Sequence, residues 1–274
     1  MRICSIASGS SGNCIYVGSE ATHLLVDAGI SGKRTEEGLK ELELSMRDID
    51  GILITHEHAD HIAGLGVLGR KYSVPIYATA GTIGAIKNSS CAGTLPDELF
   101  HVIRADEKVI IKDLTCNPIA ISHDAAEPVA YRISHGRKKV GIVTDLGTYN
   151  DYTVESLKGM DALLLEANHD VNMLQVGRYP YYLKQRILGD RGHLSNERAG
   201  QLLCQLLHEG LKAVVLGHLS QENNLPELAY EAVRVEVTMA CGSREEERKR
   251  QETGFLDFPL YVASRSKPSA AISL

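Results

Sequence analysis

The feature that most constrains this chain is a short block in which four of six side chains can bind a metal ion. These residues are His56, His58, Asp60 and His61. The block directly follows residues 51–54, an apolar run typical of a buried strand. A lone histidine at a strand end is more often an ordinary core or surface residue, but four such groups together favour a metal centre. Imidazole and carboxylate ligands suit zinc, manganese and iron. The block therefore predicts metal-dependent hydrolytic chemistry.

Other ligand-type side chains stand at the ends of β-like runs elsewhere in the chain. They are Asp27, His123, Asp145 and His218. Because strand ends at one edge of a sheet converge in space, we expect these groups to share a site with the first block. Such a set can hold two ions about 3.5–4 Å apart, the spacing used in two-metal hydrolysis. The remaining histidines that lack this context are interpreted as surface groups: His23, His101, His135 and His208.

The order of apolar runs predicts an α/β fold. Strand-like runs dominate residues 3–26 and 99–144, and further short runs are centred near 52, 76, 163, 214 and 260. Helical patterns are found at 31–44, 62–72, 153–159, 180–189, 196–209 and 226–240. This alternation predicts two mixed sheets with helices on their outer faces. No linker or repeat interrupts it, so we expect one domain over 1–265 and a flexible tail over 266–274.

Composition limits the classes of protein that this chain can represent. Its 274 residues, 43% of them apolar, can bury a large core, and the net charge of −6 disfavours a protein that coats nucleic acid. A local basic surface on an acidic body remains compatible with a nuclease. No apolar run approaches the roughly 18 residues of a membrane span, and no signal peptide is evident, so we expect a cytoplasmic protein. The six scattered cysteines predict small buried hydrophobes.

The H-x-H-x-D-H block, together with the later strand-end residues, resembles the metallo-β-lactamase superfamily over nearly the whole chain. The resemblance implies a four-layer αββα sandwich and two divalent ions, Zn²⁺ or Mn²⁺ with iron as a third candidate. By this resemblance, the first ion takes His56, His58, His123 and Asp145 as ligands. The second takes Asp60, His61, Asp145 and His218. Asp27 matches a carboxylate that steadies the histidine loop.

Finer motifs favour the phosphodiesterase branch of the superfamily. Residues 128–133, 164–169 and 192–195 resemble motifs of the transfer-RNA 3′-processing nucleases, in which a glutamate and a histidine deliver a proton to the leaving oxygen. The corresponding pair here is Glu166 and His193. Only 21 residues separate His123 from Asp145, which leaves no room for the long substrate-gripping arm of those enzymes. The interval therefore indicates a compact branch.

Four segments closely resemble the YycJ/WalJ group of this superfamily: residues 8–14, 166–170, 192–196 and 217–224. That resemblance implies a two-metal phosphodiesterase, a 5′-to-3′ exonuclease acting on DNA ends. In it, a hydroxide held by the ions attacks phosphorus, Asp60 orients the nucleophile or accepts its proton, and His193 protonates the leaving oxygen. A small-molecule hydrolase for a cyclic phosphodiester, lactone or thioester is the alternative. A non-catalytic metal-bound adaptor would have lost a ligand, and this sequence keeps them all.

Substrate contacts are the least constrained part of the sequence. Residues 178–191 hold four cations and three tyrosines against one acid, which suits phosphates and splayed bases, although a solvated helix has the same composition. We expect Arg178, Lys184, His169 and Ser11 to contact substrate, Ser11 from a turn that could equally be a plain tight turn. The mixed run 244–250 is interpreted as solvated. No membrane contact is expected, and the oligomeric state stays open.

Overall fold

A computed structural model describes residues 1–240 and 258–274 of the chain. Contacts between residues divide it into two compact units. The first contains Met1–Ala120, Asp124–Lys138 and Ala263–Leu274, and the second contains Ile121–His123 and Lys139–Val262. The sequence, interpreted as one domain over 1–265, did not predict this division, because both units use the same mixture of apolar strands and helices. Cys241 and the run 244–250 lie outside the described residues.

Seven strands form the main sheet of the first unit. In chain order they are β1 (Arg2–Ala7), β2 (Cys14–Gly18), β3 (His23–Val26), β4 (Gly51–Leu53), β5 (Ile76–Thr79), β6 (Phe100–Ile103) and β14 (Ile272–Ser273). Their order across the sheet is β14-β1-β2-β3-β4-β5-β6. Strands β14 to β3 pair antiparallel, and β3 to β6 pair parallel. This unit also contains α1 (Gly32–Glu41), α2 (Ala59–Ile62), α3 (Leu65–Tyr72) and α4 (Ala80–Asn88).

The core of this sheet comes from strands that are apolar on both faces. Leu25, Ile52 and Ile76 lie on neighbouring parallel strands and are fully buried, in one cluster with Leu39 of α1 and Leu68 of α3. Parallel strands covered by helices need such continuous apolar sequences. The sheet fixes where β3 and β4 end, and therefore the positions of Asp27 and His56, which follow these strands.

Three more strands of the first unit form antiparallel pairs. They are β7 (Val109–Ile111), β8 (Leu114–Ala120) and β9 (Val129–His135). The hydroxyl of fully buried Tyr131 donates to the carbonyl of Ile54 at 2.7 Å, and the Val129 amide donates to the carbonyl of Thr55 at 3.0 Å. The motif at 128–133 thus supports the chain just before His56.

The second unit is built on parallel strands joined through helices, as parallel pairing requires. Its strands are β10 (Lys138–Val143, all but its first residue), β11 (Ala162–Glu166), β12 (Ala213–Gly217) and β13 (Leu260–Val262). Its helices are α5 (Asp151–Leu157), α6 (Val171–Val176), α7 (Tyr181–Leu188), α8 (Asn196–Leu206) and α9 (Pro226–Ala240). The mixed strand directions and interleaved helices are those of the α/β class.

The segment predicted as a flexible tail is instead attached to the first unit. Strand β14 pairs with β1, and Ser269 exchanges hydrogen bonds with Ser5 through its amide and its hydroxyl. That prediction was wrong because a small polar composition does not reveal a backbone pairing. Among the described residues, no helix has both the length and the apolar character needed to cross a membrane.

Two helices were missed at the sequence level, for reasons that are visible in the structure. Helix α4 contains two glycines and two alanines among nine residues, which leaves little amphipathic pattern, and its N-terminus is capped by the Thr79 hydroxyl. Helix α6 has six residues, too few for a helical period to register, and is capped by Asp170. The other predicted helices are present, with their ends shifted by a few residues.

Candidate active site

The first unit presents a histidine cluster, which comprises His56, His58, Asp60 and His61. These residues occupy the loop after β4 and the first turns of α2. The ring centroids of His56 and His58 are 4.5 Å apart, and those of His56 and His61 are 4.1 Å apart. His56 and His61 are buried, whereas the side chains of His58 and Asp60 are 30% and 26% exposed. The local block therefore folds into one compact group with an accessible side.

Asp27 organises this cluster from the end of β3. One carboxylate oxygen accepts the Thr55 amide at 2.8 Å, and the other lies 2.8 Å from Nδ1 of His61. The carboxylate keeps the imidazole proton on Nδ1, so that the lone pair of the ring lies on Nε2 of His61. Asp27 adopts a left-handed backbone with φ of 63°, a conformation that costs free energy in a non-glycine residue.

The histidine cluster also holds the loop that follows β8. Glu57, between the first two histidines, accepts the Ala126 amide at 2.8 Å, and Nε2 of His58 lies 3.8 Å from Asp124. His56 contacts the Thr55 hydroxyl through Nδ1 at 3.0 Å. Each histidine of the cluster thus has a neighbour that restricts its ring orientation.

Asn13 was not identified as a site residue from the sequence. Its side-chain amide lies 3.1 Å from Nε2 of His61, and its backbone amide donates to the Asp60 carbonyl at 2.8 Å. Gly29 lies beside it, where a β-carbon would overlap the Asp60 carbonyl. The turn at 8–13 therefore braces the histidine cluster. Ser11, expected to contact substrate from this turn, is exposed.

The second unit presents a carboxylate cluster, which comprises Asp145, Glu166, His193 and His218. One ligand-type atom from each lies within 4.8 Å of those of the other three. Asp145 follows β10 and His218 follows β12, with φ values of 58° and 56°. Strained backbone at these two strand ends, as at Asp27, persists only where surrounding structure holds it.

Glu166 is the centre of this cluster and is fully buried. Its Oε1 accepts hydrogen bonds from Nδ1 of His193 and from Nδ1 of His218, each at 2.8 Å. Its Oε2 accepts the amides of Leu146 and Leu194 at 2.8 and 3.2 Å. Burial alone would raise the pKa of this carboxyl, but the adjacent His193 charge and the hydrogen bonds from both histidines outweigh it and lower the pKa to about 2. Glu166 is therefore an ionised acceptor.

Asp145 faces three imidazoles of the same unit. Its Oδ1 lies 3.5 Å from Nε2 of His218, 3.7 Å from Nε2 of His123 and 3.6 Å from Nδ1 of His193. Nδ1 of His123 contacts the Gly192 carbonyl at 3.1 Å. In His123 and His218, as in His61, an oxygen acceptor holds the Nδ1 proton, which directs the Nε2 lone pair toward a carboxylate. This is the arrangement that a divalent cation requires, so the residues present fit metal ions.

A group of three asparagines supports the turn that carries His218. The Asn168 side chain donates to the His218 carbonyl at 2.9 Å. The Asn224 amide donates to the carbonyls of Ala167 and Asn168 at 2.9 and 3.0 Å, and Asn224 pairs reciprocally with Asn196. These contacts were not foreseen, because asparagine signals turns more often than buried networks.

The residues expected to contact substrate in the second unit differ in exposure. Arg178 is exposed, and Lys184 is partly buried, with Nζ donating to the Gln175 carbonyl at 2.7 Å. His169 is only 1% exposed, which does not suit direct substrate contact. Burial lowers the pKa of its imidazole to about 4.

Known proteins resemble this chain in sequence and in fold. Residues 22–219 match the model of the β-lactamase superfamily domain. The exodeoxyribonuclease YycJ of Bacillus anthracis is 43% identical over 228 residues, covering 83% of this chain and 86% of that protein. The exodeoxyribonuclease WalJ of Streptococcus pneumoniae serotype 2 is 43% identical over 225 residues, covering 82% and 84%. The solved metallo-β-lactamase fold protein YhfI from Bacillus subtilis superposes with a TM-score of 0.67 at 17% identity, covering 98% of both chains.

The fold and the ligand-type clusters define an enzyme of the hydrolase class with the metallo-β-lactamase fold, as predicted. The chain belongs to the β-lactamase superfamily, and within it to the group that contains YycJ and WalJ. The predicted α/β class, with two mixed sheets, is confirmed by these comparisons and by the strand directions.

Proposed function

We propose that this protein is a nuclease, a two-metal phosphodiesterase that degrades DNA from 5′ ends. The observation that carries the proposal is the buried Glu166 carboxylate, which holds both His193 and His218 by one oxygen. A phosphodiester has a poor leaving oxygen that needs a proton, and in this proposal His193 donates it. The similarity to proteins named exodeoxyribonucleases supports DNA as the substrate.

Seven residues are proposed to hold the two divalent ions: His56, His58, Asp60, His61, His123, Asp145 and His218. When bound, such ions activate water and offset the charge that develops on phosphorus. To identify the ion, the protein is loaded separately with Zn²⁺, Mn²⁺ or iron, and the activity of each preparation is measured. Asp60, whose carboxylate is partly exposed, orients the attacking water or accepts its proton.

His193 acts on the opposite side of the reacting phosphorus. Its Nδ1 is held by Glu166, and 20% of the side chain is exposed, which leaves part of the ring accessible. Glu166 holds the ring through Nδ1, and the ring donates its Nε2 proton to the departing oxygen. With a pKa lowered to about 2, Glu166 serves as the hydrogen-bond acceptor of this pair.

The proposal is tested with DNA and RNA duplexes and single strands that carry a label at the 5′ or the 3′ end. The metal-loaded protein should release the 5′ label of DNA as mononucleotides at the earliest times, while the 3′ label stays on long fragments. Asp60→Ala is the inactive control. Early loss of the 3′ label would reverse the polarity, and inertness toward every nucleic acid would overturn the proposal.

A further inference from the structure

Two adjacent tyrosines lie almost fully exposed at the start of α7. The side chains of Tyr181 and Tyr182 are 77% and 74% exposed, and Val176 at the end of α6 is 86% exposed. No residue of α7 is buried. We call Val176, Arg178, Tyr181 and Tyr182 the tyrosine surface. Large rings left in water over an exposed helix are unusual, and an exposed apolar patch of this kind marks a binding surface.

The charge around this surface is opposite to that of the whole chain. Arg178, Lys184, Arg186 and Arg191 lie within residues 178–191 with only Asp190 as an acid, whereas the chain has a net charge of −6. Basic side chains interleaved with rings match a polyanion whose own rings are free to stack. The local charge thus indicates a polyanionic partner, and the exposed tyrosine rings favour a nucleic acid, whose bases can stack on them.

Helix α7, which carries the two tyrosines, ends directly against the turn that carries His193. The His193 amide donates to the Ile187 carbonyl at 3.0 Å, and the Gly192 amide donates to the Gly189 carbonyl at 2.8 Å. A β-carbon at Gly192 would overlap the carbonyls of Arg186 and Ile187, so the turn lies directly against the end of α7. With a rise of 1.5 Å per residue, the tyrosines lie about 10 Å along the helix from this turn.

We infer that the tyrosine surface binds unpaired bases of the DNA strand that leads to the site. This inference rests on the proposed nuclease function and specifies its substrate as a single-stranded end. A paired duplex presents phosphates and groove edges along its length, and its base faces are covered by stacking. Unpaired bases expose both faces, which rings such as Tyr181 and Tyr182 can stack on, while Arg178 neutralises the phosphate between them.

The test compares the Tyr181→Ala/Tyr182→Ala protein with wild type, both loaded with metal. The probe is a fluorescein-labelled oligothymidylate with phosphorothioate linkages, which resist hydrolysis, and Kd is measured by anisotropy. Stacking contributes about 1–3 kcal/mol per base, so Kd should rise at least roughly tenfold. The Tyr181→Phe/Tyr182→Phe protein should bind as wild type does, because the rings remain.

Two controls separate binding from folding and from chemistry. Tyr261→Ala removes an exposed tyrosine of β13 and should leave Kd unchanged. Turnover of bis(p-nitrophenyl) phosphate, which has no bases to stack, should be equal in all four proteins. Unchanged oligonucleotide affinity in the double alanine variant would overturn the inference, as would an equal loss toward blunt duplex DNA. A shift of that variant from oligomer to monomer in sedimentation would assign the surface to a second copy of this chain instead.

The inference and the proposed function can fail separately. If the wild type binds the oligonucleotide through the tyrosines but hydrolyses no nucleic acid, the nuclease proposal fails and the binding surface stands. If it hydrolyses DNA while the double alanine variant binds normally, only the binding surface is lost.

Discussion

Glu166 combines two functions that are usually divided between residues. One oxygen orients His218, and the same oxygen holds His193, whose ring is partly exposed. Two backbone amides occupy its other oxygen. Because every acceptor direction is used and the carboxyl is buried, the position admits little besides an ionised glutamate.

The proposed proton donor makes a prediction at the residue scale that depends on the leaving group. His193→Ala should lower kcat on DNA by about 10²–10⁴-fold, since general acid catalysis contributes about this much. With bis(p-nitrophenyl) phosphate the loss should be far smaller, because p-nitrophenolate leaves without a proton. Steady-state rates on both substrates measure the difference.

Metal content distinguishes this role from that of a ligand. The His193→Ala protein should retain as much metal as wild type by atomic absorption. Equal losses on both substrates, or loss of metal, would contradict the assignment of His193 as proton donor.

Backbone strain also occurs at three of the strand ends that carry predicted site residues. Asp27, Asp145 and His218 are three of seven non-glycine residues with positive φ in the described part of the chain. Each stands directly after a strand or one residue later. Left-handed backbone costs free energy in non-glycine residues and persists only where the surrounding contacts hold it.

At the scale of elements, the turn after β12 contains a buried asparagine whose side chain makes several hydrogen bonds. The Asn224 side chain donates to the carbonyls of Ala167 and Asn168 and pairs with the Asn196 side chain. Asn224→Ala removes the donor to the Ala167 carbonyl and the partner of the buried Asn196 amide, whereas the Asn168 carbonyl keeps the Ser220 amide as its donor. Each buried group left unsatisfied costs about 1–3 kcal/mol. We expect the free energy of unfolding to fall by roughly 3 kcal/mol in urea titrations.

Glu222→Ala provides the matched control for this prediction. Glu222 is exposed two residues away in the same turn, so its substitution should change stability by less than about 0.5 kcal/mol. A similarly small effect of Asn224→Ala would show that the asparagine network does not support the turn.

Several elements could be predicted because their signal is local. The apolar runs of β4, β11 and β12 and the long helices α8 and α9 were recognised from period and length. Helices α4 and α6 and the pairing of β14 were not, since short or glycine-containing segments take their structure from tertiary contacts. The hydrogen bond from the Tyr131 hydroxyl to the Ile54 carbonyl is likewise a tertiary contact that local sequence does not predict.

At the scale of the whole molecule, metal binding should contribute directly to stability. Buried carboxylates and imidazoles have lost their hydration, and divalent ions that bind only the native state stabilise it by mass action. At ion concentrations near a thousand times Kd this amounts to about 4 kcal/mol. Chelation should therefore lower Tm by roughly 10 °C.

Differential scanning fluorimetry with EDTA measures this shift, and EDTA already saturated with zinc is the control. Recovery of Tm on adding back one ion, but not another, would also identify the metal. Identical melting of chelated and untreated protein that is shown to contain metal would contradict a stabilising role.

The sequence by itself determined the chemistry of the protein. Four ligand-type residues in one short block, followed by matching residues at later strand ends, were sufficient for the superfamily, the fold class and the enzyme class, because ligand identity and spacing are local properties. The tertiary structure decided how these residues are supported: the shared oxygen of Glu166, the asparagines behind His218, the bracing by Asn13 and the exposure of Tyr181 and Tyr182. Those contacts join residues that are far apart in the chain, and only the pairing of strands and the packing of helices bring them within hydrogen-bonding distance.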